Sequence, residues 1–290
     1  MTRNHLEDLP PLAFIGAGAM GGAIVRGLLN ADAKLGVRIR ITGEWSTQMQ
    51  ELVDLCGVEG FDSSTDPEAN IKAVMDAGIV VLALKPDIIP DVLKEISEYV
   101  EDGAVIISIA AGVTIATIES MLPDTVSVIR VMPNTPALVG KGVSGISPGS
   151  RATIAESDLA ETLFQTVGSV LTVPESQIDE VTSISGSGPA YVFYLIEQLT
   201  AVAEHKGFTP EQAALLVNGT FRGASELLAG SDKSPQELRR LVTSPNGTTA
   251  AAISVLEDGG IGALFGKATD SAVRRAKELA SQQQNPLAAE

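Results

Sequence analysis

The segment Ser244–Glu257, SPNGTTAAAISVLE, combines a tight turn with a helix whose first residues carry hydroxyl groups. The Pro-Asn-Gly sequence after Ser244 favours a turn, and the residues that follow predict a helix beginning at Thr248 and Thr249. A helix N-terminus carries unpaired N–H groups and about half a positive charge, so it can bind a small carboxylate. Thr is also a common N-cap, which would account for one hydroxyl. It would not account for Ser244, Gly247 and two threonines around one turn.

A second candidate binding element is the glycine pattern in FIGAGAMGGAIVRGLL, where Gly16, Gly18 and Gly21 have the spacing G-x-G-x-x-G. The pattern follows an apolar strand and opens a helix, which directs helix N–H groups at the pyrophosphate of a dinucleotide. We expect Gly16 to allow the tight turn, Gly18 to admit a phosphate, and Gly21 to let the helix pack on the strand. The alternative is a turn that is merely close-packed.

The residue after the second predicted strand, in IRITGEWSTQ, should distinguish NADH from NADPH. A carboxylate from Glu44 could accept both ribose hydroxyls of NADH and would repel the additional phosphate of NADPH. Arg38 and Arg40 are near in sequence, and either could instead bind that phosphate. Glu44 could also be a solvated residue without a role. The pattern therefore favours NADH only slightly, and both cofactors stay open.

Two later stretches end predicted strands on small or basic residues. LALKPD ends with Lys85 and Pro86, and SIAAGV ends with Ala110, Ala111 and Gly112. Ligands of open α/β sheets bind at the C-terminal ends of strands, so these residues are candidates for the wall of the cofactor site. Small residues let a flat ring lie against the backbone, and Lys85 offers a positive charge. A Lys-Pro pair by itself is equally typical of the start of a loop.

Two further helix starts can be predicted in the second half of the chain. In SISGSGPAYVF, Pro189 suits a first helical turn, and Ser185–Gly188 would form a helix entrance with few side-chain atoms. Such an entrance is either a close helix–helix contact, which we favour, or one wall of a ligand pocket. Ser234, followed three residues later by Glu237, is a capping box that predicts a short helix before the turn at Ser244.

The hydrophobic pattern divides the chain into two regions. Near-continuous apolar segments alternate with helical stretches in the first half, as in a parallel sheet buried on both faces: PLAFIG, VRIRIT, GIVVLAL, AVIISIA and VSVIRV. After VGSVLTVPES the strands cease, and apolar residues recur at helical spacing: Val192, Leu195, Ile196, Leu199 and Val202. We predict an α/β fold, with a doubly wound Rossmann-type domain at 1–172 and an all-helical domain at 173–290.

Composition excludes several classes of partner. The 290 residues include 20 Lys and Arg against 36 Asp and Glu, a net charge of −16 that disfavours nucleic acid and anionic lipid. One cysteine, Cys56, and two histidines, His5 and His205, allow no intramolecular disulfide and no typical zinc site. No apolar run has the length of a membrane span, and the N-terminus has no apolar export segment, so we expect a cytoplasmic protein. The tail, 281–290, is predicted to be loose.

The pyrroline-5-carboxylate reductases, which catalyse the last step of proline synthesis, resemble this chain in six stretches that occur in the same order. These stretches are GAGAMGGAIVRGLL, VVLALKP, SIAAGV, VIRVMPNTPALVGKGVSGIS, SISGSGPAYVF and LVTSPNGTTAAAISVLE. The resemblance spans Phe14 to about Lys277. It implies hydride transfer from NADH or NADPH to the imine carbon of 1-pyrroline-5-carboxylate. It also implies a homodimer formed by the helical domain, with each active site between one chain's cofactor domain and its partner's helices; a larger ring of dimers stays open.

The resemblance also implies roles for individual residues. Cofactor contacts would come from Gly16, Ala17, Gly18, Ala19, Met20, Gly21, Asn70, Ala83, Lys85, Pro86, Ala110, Ala111 and Gly112. Ser244, Gly247 and Thr248 would hold the substrate's carboxylate, and Glu175 would be another substrate-side residue. The hydroxyl of Thr249 would meet the ring nitrogen. An unactivated hydroxyl is a poor acid, so we assign Thr249 orientation of the substrate and proton relay through water.

The chain departs from the family pattern at two positions. Asn246 stands where the family usually has glycine, and because Asn tolerates positive φ, the turn is expected to survive. Glu44 stands where members that favour NADPH often have small or basic residues, which leaves the cofactor preference open.

Two other functions compete with the reductase. A 3-hydroxy acid dehydrogenase shares the GAGAMG opening but needs a catalytic lysine, and the nearby candidates Lys206 and Lys233 lack a glycine-rich setting. A non-catalytic dinucleotide sensor would be expected to lose the turn at 244–249, which is intact except at Asn246. Neither histidine is a good catalyst, because His205 lies near a helix end, where it would pair with the helix dipole, and His5 lies near the N-terminus.

Overall fold

The computed structural model describes residue 6 and residues 9–31 and 37–284, with side chains described up to residue 280. His5 lies outside the described residues, as does 285–290 of the tail predicted to be loose. Residues 281–284 of that tail are helical and continue the last helix, so the prediction is wrong there. The reason is that Gln residues have good helix propensity and extend a helix that has already formed.

The described residues of the first half alternate strands and helices. The strands are β1 (Leu12–Ile15), β2 (Ile39–Gly43), β3 (Val58–Asp62), β4 (Ile79–Leu82), β5 (Val105–Ser108), β6 (Ser127–Met132), β7 (Gly142–Pro148) and β8 (Gly168–Thr172). The helices among them are α1 (Ala19–Ala31), α2 (Thr47–Val53), α3 (Ala69–Val74), α4 (Ile89–Ile96), α5 (Ile115–Glu119) and α6 (Ile154–Gln165). Short 3₁₀ turns cover Pro86–Ile88, Thr135–Val139 and Glu175–Gln177.

The eight strands form one sheet in the order β3-β2-β1-β4-β5-β6-β7-β8. Neighbouring strands are parallel, except that β6 and β7 are antiparallel. The chain winds outward from β1 in both directions, which confirms the predicted Rossmann-type fold. The order reverses between β1 and β4, and in such sheets the ligand crevice lies at the C-terminal ends of these strands.

Side chains of β1 alternate between two buried clusters, one on each face of the sheet. Leu12 and Phe14 join the cluster beneath α1, α2 and α6, whereas Ala13 and Ile15 join the cluster beneath α3, α4 and α5. Burial on both faces explains why β1, β2, β4, β5 and β6 read as near-continuous apolar segments. β3 and β7 were not predicted, because VEGFD and GVSGISP lack such a run.

The second half is helical, as predicted. A short helix α7 (Ile178–Val181) and a π turn (Thr182–Gly186) precede α8 (Gly188–His205), α9 (Pro210–Ala229), α10 (Pro235–Leu241), α11 (Thr248–Asp258) and α12 (Ile261–Gln284). The predicted capping box is present at α10, where Ser234 and Glu237 exchange hydrogen bonds. No described helix combines the length and the apolar character that crossing a membrane requires.

Contacts between residues divide the chain into two compact units. One contains the described residues up to Ser187 and, again, those from Ala272 onward; the other spans Gly188–Ser271. The end of α12 therefore belongs to the unit that contains the sheet. The domain limits of 1–172 and 173–290 stay a prediction.

Candidate functional site

The glycine loop between β1 and α1 leaves open space where a ligand could approach. Gly16 has φ +100°, and a Cβ atom there would lie 2.5 Å from the carbonyl oxygen of Ala83. A Cβ atom at Gly21 would overlap the carbonyl oxygen of Gly16. At Gly18, by contrast, no atom lies within 4 Å of the position that a Cβ atom would take. The first and third glycines are thus required by packing, and the middle one borders free space, as the binding of a pyrophosphate needs.

The same loop is fixed to the end of β2 and presents the start of α1. The N–H groups of Gly16 and Ala17 donate to the carbonyl oxygen of Thr42 at 3.1 and 2.7 Å. Helix α1 begins at Ala19, and the N–H of Gly22 bonds the carbonyl oxygen of Gly18 at 2.8 Å. The N–H groups before Gly22 in the first turn have no carbonyl oxygen within the helix to bond, so they can receive an anion.

Asn70, a predicted cofactor residue, holds neighbouring elements together. The hydroxyl of Thr42 donates to Oδ1 of Asn70 at 2.9 Å, and Nδ2 of Asn70 donates to Glu95 at 3.0 Å. Asn70 thereby connects the end of β2 to α4, directly behind the glycine loop. Its contact with a cofactor stays a prediction.

The remaining predicted cofactor residues follow strands that end side by side. Ile15, Leu82 and Ser108 are in register across β1, β4 and β5, so the segments that follow these three residues share one edge of the sheet. This brings the predicted residues of the two later stretches to the edge that carries the glycine loop: Ala83, Lys85, Pro86, Ala110, Ala111 and Gly112. Their contacts with a cofactor stay predictions.

Within this edge, Lys85 and Gly112 have distinct surroundings. Lys85 is exposed, and its ammonium group forms no ion pair with the described residues. Gly112 has φ +78° and is buried, and a Cβ atom there would lie 3.5 Å from the main-chain nitrogen of Ala280 in α12. The end of α12 thus packs on the turn after β5.

Arg40 is engaged by the fold, so of the two arginines that could bind the additional phosphate of NADPH, this one is not available. Its side chain is 9% exposed and donates to the carbonyl oxygens of Lys72, Ala73 and Met75 at the end of α3. A buried guanidinium that satisfies three carbonyl oxygens cannot leave without exposing them. Arg38 precedes β2 and lies at the opposite edge of the sheet from the glycine loop.

The turn before α11 has the predicted form. Asn246 adopts φ +57°, and the N–H of Gly247 donates to the carbonyl oxygen of Ser244 at 3.0 Å. The N-cap is Gly247, which makes no side-chain bond, and the first helical residues are Thr248 and Thr249. The interpretation of these threonines as N-caps is therefore wrong.

No side chain caps α11, so the N–H groups of its first turn keep their capacity to bind a ligand. The hydroxyls of Thr248 and Thr249 belong to the same turn. Thr248 is exposed and Thr249 is half-buried, and neither hydroxyl has a hydrogen-bond partner among the described residues. Such a turn can bind a carboxylate through main-chain N–H groups and orient a second polar atom through a hydroxyl.

The predicted helix start is confirmed, since α8 begins at Gly188 and Pro189 lies in its first turn. The entrance at Ser185–Gly188 is not an open segment, however, because a π turn leads into it. Residues 182–186 form a π turn, and the N–H of Ser187 donates to the carbonyl oxygen of Thr182 at 2.8 Å. The small residues of SGSG permit this wider turn, and Asn134 bonds both the carbonyl and the hydroxyl of Ser185 at 3.1 Å. π turns inside helices are frequent at functional sites.

Sequence reasoning assigned no role to Asn134, although it lies in VIRVMPNTPALVGKGVSGIS, one of the stretches that resemble the reductase family. It is 8% exposed and follows the C-terminal end of β6. The signal that could have found it is an amide residue between two prolines at the end of a buried strand. Such a residue must satisfy its polar atoms by non-local bonds.

Glu175 is engaged within the sheet unit. Its carboxylate accepts from the N–H of Ile115 at 2.7 Å and from Nη1 of Arg130 at 3.3 Å. Arg130, whose side chain is 5% exposed, also contacts Asp179 at 3.4 Å. The carboxylate thus joins α5 and β6 to the 3₁₀ turn that begins at Glu175. Its contact with substrate stays a prediction.

Comparison with known proteins identifies both halves of the chain. Residues 175–279 match the family model described as "Pyrroline-5-carboxylate reductase dimerisation". Residues 11–112 match the model described as "NADP oxidoreductase coenzyme F420-dependent".

Relatives match over nearly their whole length. A pyrroline-5-carboxylate reductase of Pseudomonas aeruginosa is 38% identical over 94% of this chain and 98% of its own. One from Corynebacterium melassecola is 39% identical over 92% and 98%. Among solved structures, the enzyme of Coxiella burnetii has a TM-score of 0.85 and 37% identity, covering 93% of this chain and 98% of its own. That of Plasmodium falciparum, solved with NADP bound, has a TM-score of 0.78 and 28% identity over 93% and 98%. The chain therefore belongs to the pyrroline-5-carboxylate reductase family.

Proposed function

We propose that this protein reduces 1-pyrroline-5-carboxylate to L-proline, the last step of proline synthesis, with NADH or NADPH as the reductant. The observation that carries this function is the 38% identity to a pyrroline-5-carboxylate reductase over 94% of the chain. The two matching family models, over residues 11–112 and 175–279, include the glycine loop at Gly16–Gly21 and the turn at Ser244–Thr249.

The residues at the edge of the sheet fit a dinucleotide. The space before Gly18 and the first N–H groups of α1 suit the pyrophosphate, whose charge the helix N-terminus stabilises. Lys85, exposed and without an ion pair among the described residues, supplies a positive charge at the same edge. When bound, the reduced nicotinamide supplies the hydride. The protein's part is to orient that ring and to exclude water.

The turn at α11 is the proposed site for the substrate. The main-chain N–H of Thr248 and the hydroxyl of Ser244 would bind the carboxylate. Gly247, whose own N–H bonds the carbonyl oxygen of Ser244, would shape the turn around it. The hydroxyl of Thr249 would bond the ring nitrogen and fix which face of the imine is reduced. Protonation of this nitrogen makes the imine carbon more electrophilic, and Thr249 would relay that proton through water.

We propose a homodimer assembled through the helical unit. α8 has 18 residues, none of them buried, although much of its sequence is apolar. The exposed side chains include Val192 at 45%, Phe193 at 66%, Tyr194 at 60% and Leu199 at 45%. Exposure of so many large apolar side chains on one helix is typical of a surface that is covered in an obligate interface. Light scattering that finds a stable, active monomer would contradict the dimer.

One assay separates the reductase from its competitors. Purified protein is mixed with reduced cofactor and either 1-pyrroline-5-carboxylate or a 3-keto acid, and the loss of nicotinamide absorbance is followed. We expect oxidation of the cofactor only with the pyrroline. Oxidation with the keto acid alone would favour a hydroxy acid dehydrogenase, and oxidation with neither would favour a sensor. A cytoplasmic location remains a prediction.

A further inference from the structure

We propose that this protein binds NADH in preference to NADPH, because Glu44 and Asp62 surround the 2′ position of the adenosine ribose with negative charge. This inference rests on the proposed function, since it concerns the cofactor of that reaction. It goes further by assigning the discrimination to named side chains at the ends of β2 and β3.

Glu44 directly follows the point where β2 meets the glycine loop. A Cβ atom at Gly43, the last residue of β2, would lie 3.4 Å from the main-chain nitrogen of Ala17. In Rossmann-type folds the adenosine ribose lies at the end of the second strand, beyond this loop. Glu44 is exposed, and its carboxylate has no partner among the described residues. It is therefore free to accept hydrogen bonds from two ribose hydroxyls.

Asp62 adds a second fixed negative charge beside Glu44. Gly43 and Asp62 are in register, and the N–H of Trp45 donates to Oδ1 of Asp62 at 3.3 Å. Hydrogen bonds from the hydroxyl and N–H of Ser64 hold the pKa of Asp62 below its usual value, with a further bond from Thr65. Its carboxylate is thus ionised at neutral pH, and the bonds fix it in place.

The described cations nearest in sequence to these carboxylates, Arg38, Arg40 and Lys72, do not offset them. The sequence between Arg40 and Lys72 contains no Lys or Arg. Arg38 precedes β2, about 16 Å from its C-terminal end at 3.3 Å per residue. Arg40 is buried against α3, as described above. Lys72 contacts Asp66 at 2.8 Å and Glu68 at 3.6 Å.

These observations together disfavour the additional phosphate of NADPH. That group carries up to two negative charges and would have to displace or approach Glu44 without a guanidinium or ammonium partner. NADH replaces it with a hydroxyl, which can donate to the carboxylate instead. We therefore expect the dissociation constant for NADPH to exceed that for NADH at least about tenfold at low ionic strength.

The binding test needs no turnover. Trp45 is the single tryptophan of the chain and follows Glu44, so quenching of its fluorescence by reduced nicotinamide gives the dissociation constants of NADH and NADPH directly. The same two cofactors are then compared by kcat/KM with 1-pyrroline-5-carboxylate. The variants are Glu44→Gln, which removes the charge but keeps the shape, and Glu101→Gln, which removes one charge before β5, at the opposite edge of the sheet.

We expect Glu44→Gln to lower the ratio of the NADPH to the NADH dissociation constant at least about fivefold, whereas Glu101→Gln leaves the ratio unchanged. We also expect Arg38→Ala to leave NADPH binding unchanged. Equal or tighter binding of NADPH by the unmodified protein would overturn the inference, as would selective loss of NADPH binding in Arg38→Ala. An equal change of this ratio in Glu44→Gln and Glu101→Gln would also overturn the inference, because it would indicate that the net charge of the protein alone sets the preference. Absence of turnover with different dissociation constants would contradict the proposed function and leave this inference standing.

Discussion

Asn134 donates from one amide nitrogen to two atoms of Ser185, its carbonyl oxygen and its hydroxyl, both at 3.1 Å. On its other side, Oδ1 of Asn134 accepts from the N–H of Val143 at 2.8 Å, and the hydroxyl of Ser185 bonds the carbonyl oxygen of Val143 at 3.3 Å. Asn134 after β6, Val143 in β7 and Ser185 in the π turn thus form one closed network of hydrogen bonds. Two of the stretches that resemble the reductase family, VIRVMPNTPALVGKGVSGIS and SISGSGPAYVF, are connected there through Asn134 and Ser185.

Substitution of Asn134 tests this network. Asn134→Asp keeps the shape but places a carboxylate oxygen against the carbonyl oxygen of Ser185, so we expect a loss of about 1–3 kcal/mol in the free energy of unfolding. Ser185→Ala removes only the hydroxyl contacts and should cost less, about 0.5–1.5 kcal/mol. Urea denaturation measures both. A larger loss in Ser185→Ala than in Asn134→Asp would contradict the central position of the amide.

The glycine loop allows packing and cofactor binding to be separated. Gly18→Val adds atoms to open space, so we expect the free energy of unfolding to change by less than about 1 kcal/mol. The added side chain would obstruct the phosphate, so we expect the dissociation constant of the reduced cofactor to rise at least about tenfold. Gly21→Val overlaps the carbonyl oxygen of Gly16 and should lose at least about 2 kcal/mol. Thermal denaturation and Trp45 fluorescence report the two effects. Unchanged cofactor binding in Gly18→Val would exclude the loop as the phosphate site.

Substitution of Glu175 distinguishes a structural role of its carboxylate from a substrate-binding role. Glu175→Gln weakens the contact with buried Arg130, and we expect a loss of about 1–3 kcal/mol in the free energy of unfolding. If the carboxylate acts only there, KM for 1-pyrroline-5-carboxylate should stay within about twofold in the folded variant. A large rise in KM without loss of stability would instead assign Glu175 to the substrate.

Thr249→Val tests the substrate turn. The variant keeps the shape of the side chain and removes the hydroxyl, so we expect kcat/KM for the pyrroline to fall at least about tenfold while the cofactor dissociation constants stay unchanged. Thr243→Val is the matched control, because the hydroxyl of Thr243 is already bonded to the carbonyl oxygen of Arg239 at 2.6 Å. Undiminished turnover by Thr249→Val would remove this hydroxyl from the mechanism.

Arg40→Met tests whether this arginine serves the fold alone. Loss of the bonds to the end of α3 should cost about 2–4 kcal/mol in unfolding free energy, since three carbonyl oxygens lose their partner. The ratio of NADPH to NADH dissociation constants should not change. Selective weakening of NADPH would show that Arg40 reaches the cofactor after all, contrary to its burial.

Local sequence was sufficient for the features that depend on local physics. Near-continuous apolar segments identified the strands at the centre of the sheet, because burial on both faces leaves little polar alternation. The glycine spacing at Gly16–Gly21 and the turn at Asn246 followed from backbone conformations that few residues tolerate. The capping box at Ser234 and Glu237 lies within four residues, so its bonds could be predicted from sequence distance alone.

Tertiary structure decided which side chains remained available. Arg40 resembled a phosphate ligand by its position near Glu44, but strand alternation and the packing of α3 buried it under carbonyl oxygens. Asn134 and Ser185 lie far apart in sequence, and only the order of strands brings them within hydrogen-bond distance. The physical reason is that polar groups in a core must find partners, and partners distant in the chain are set by topology rather than by neighbouring residues.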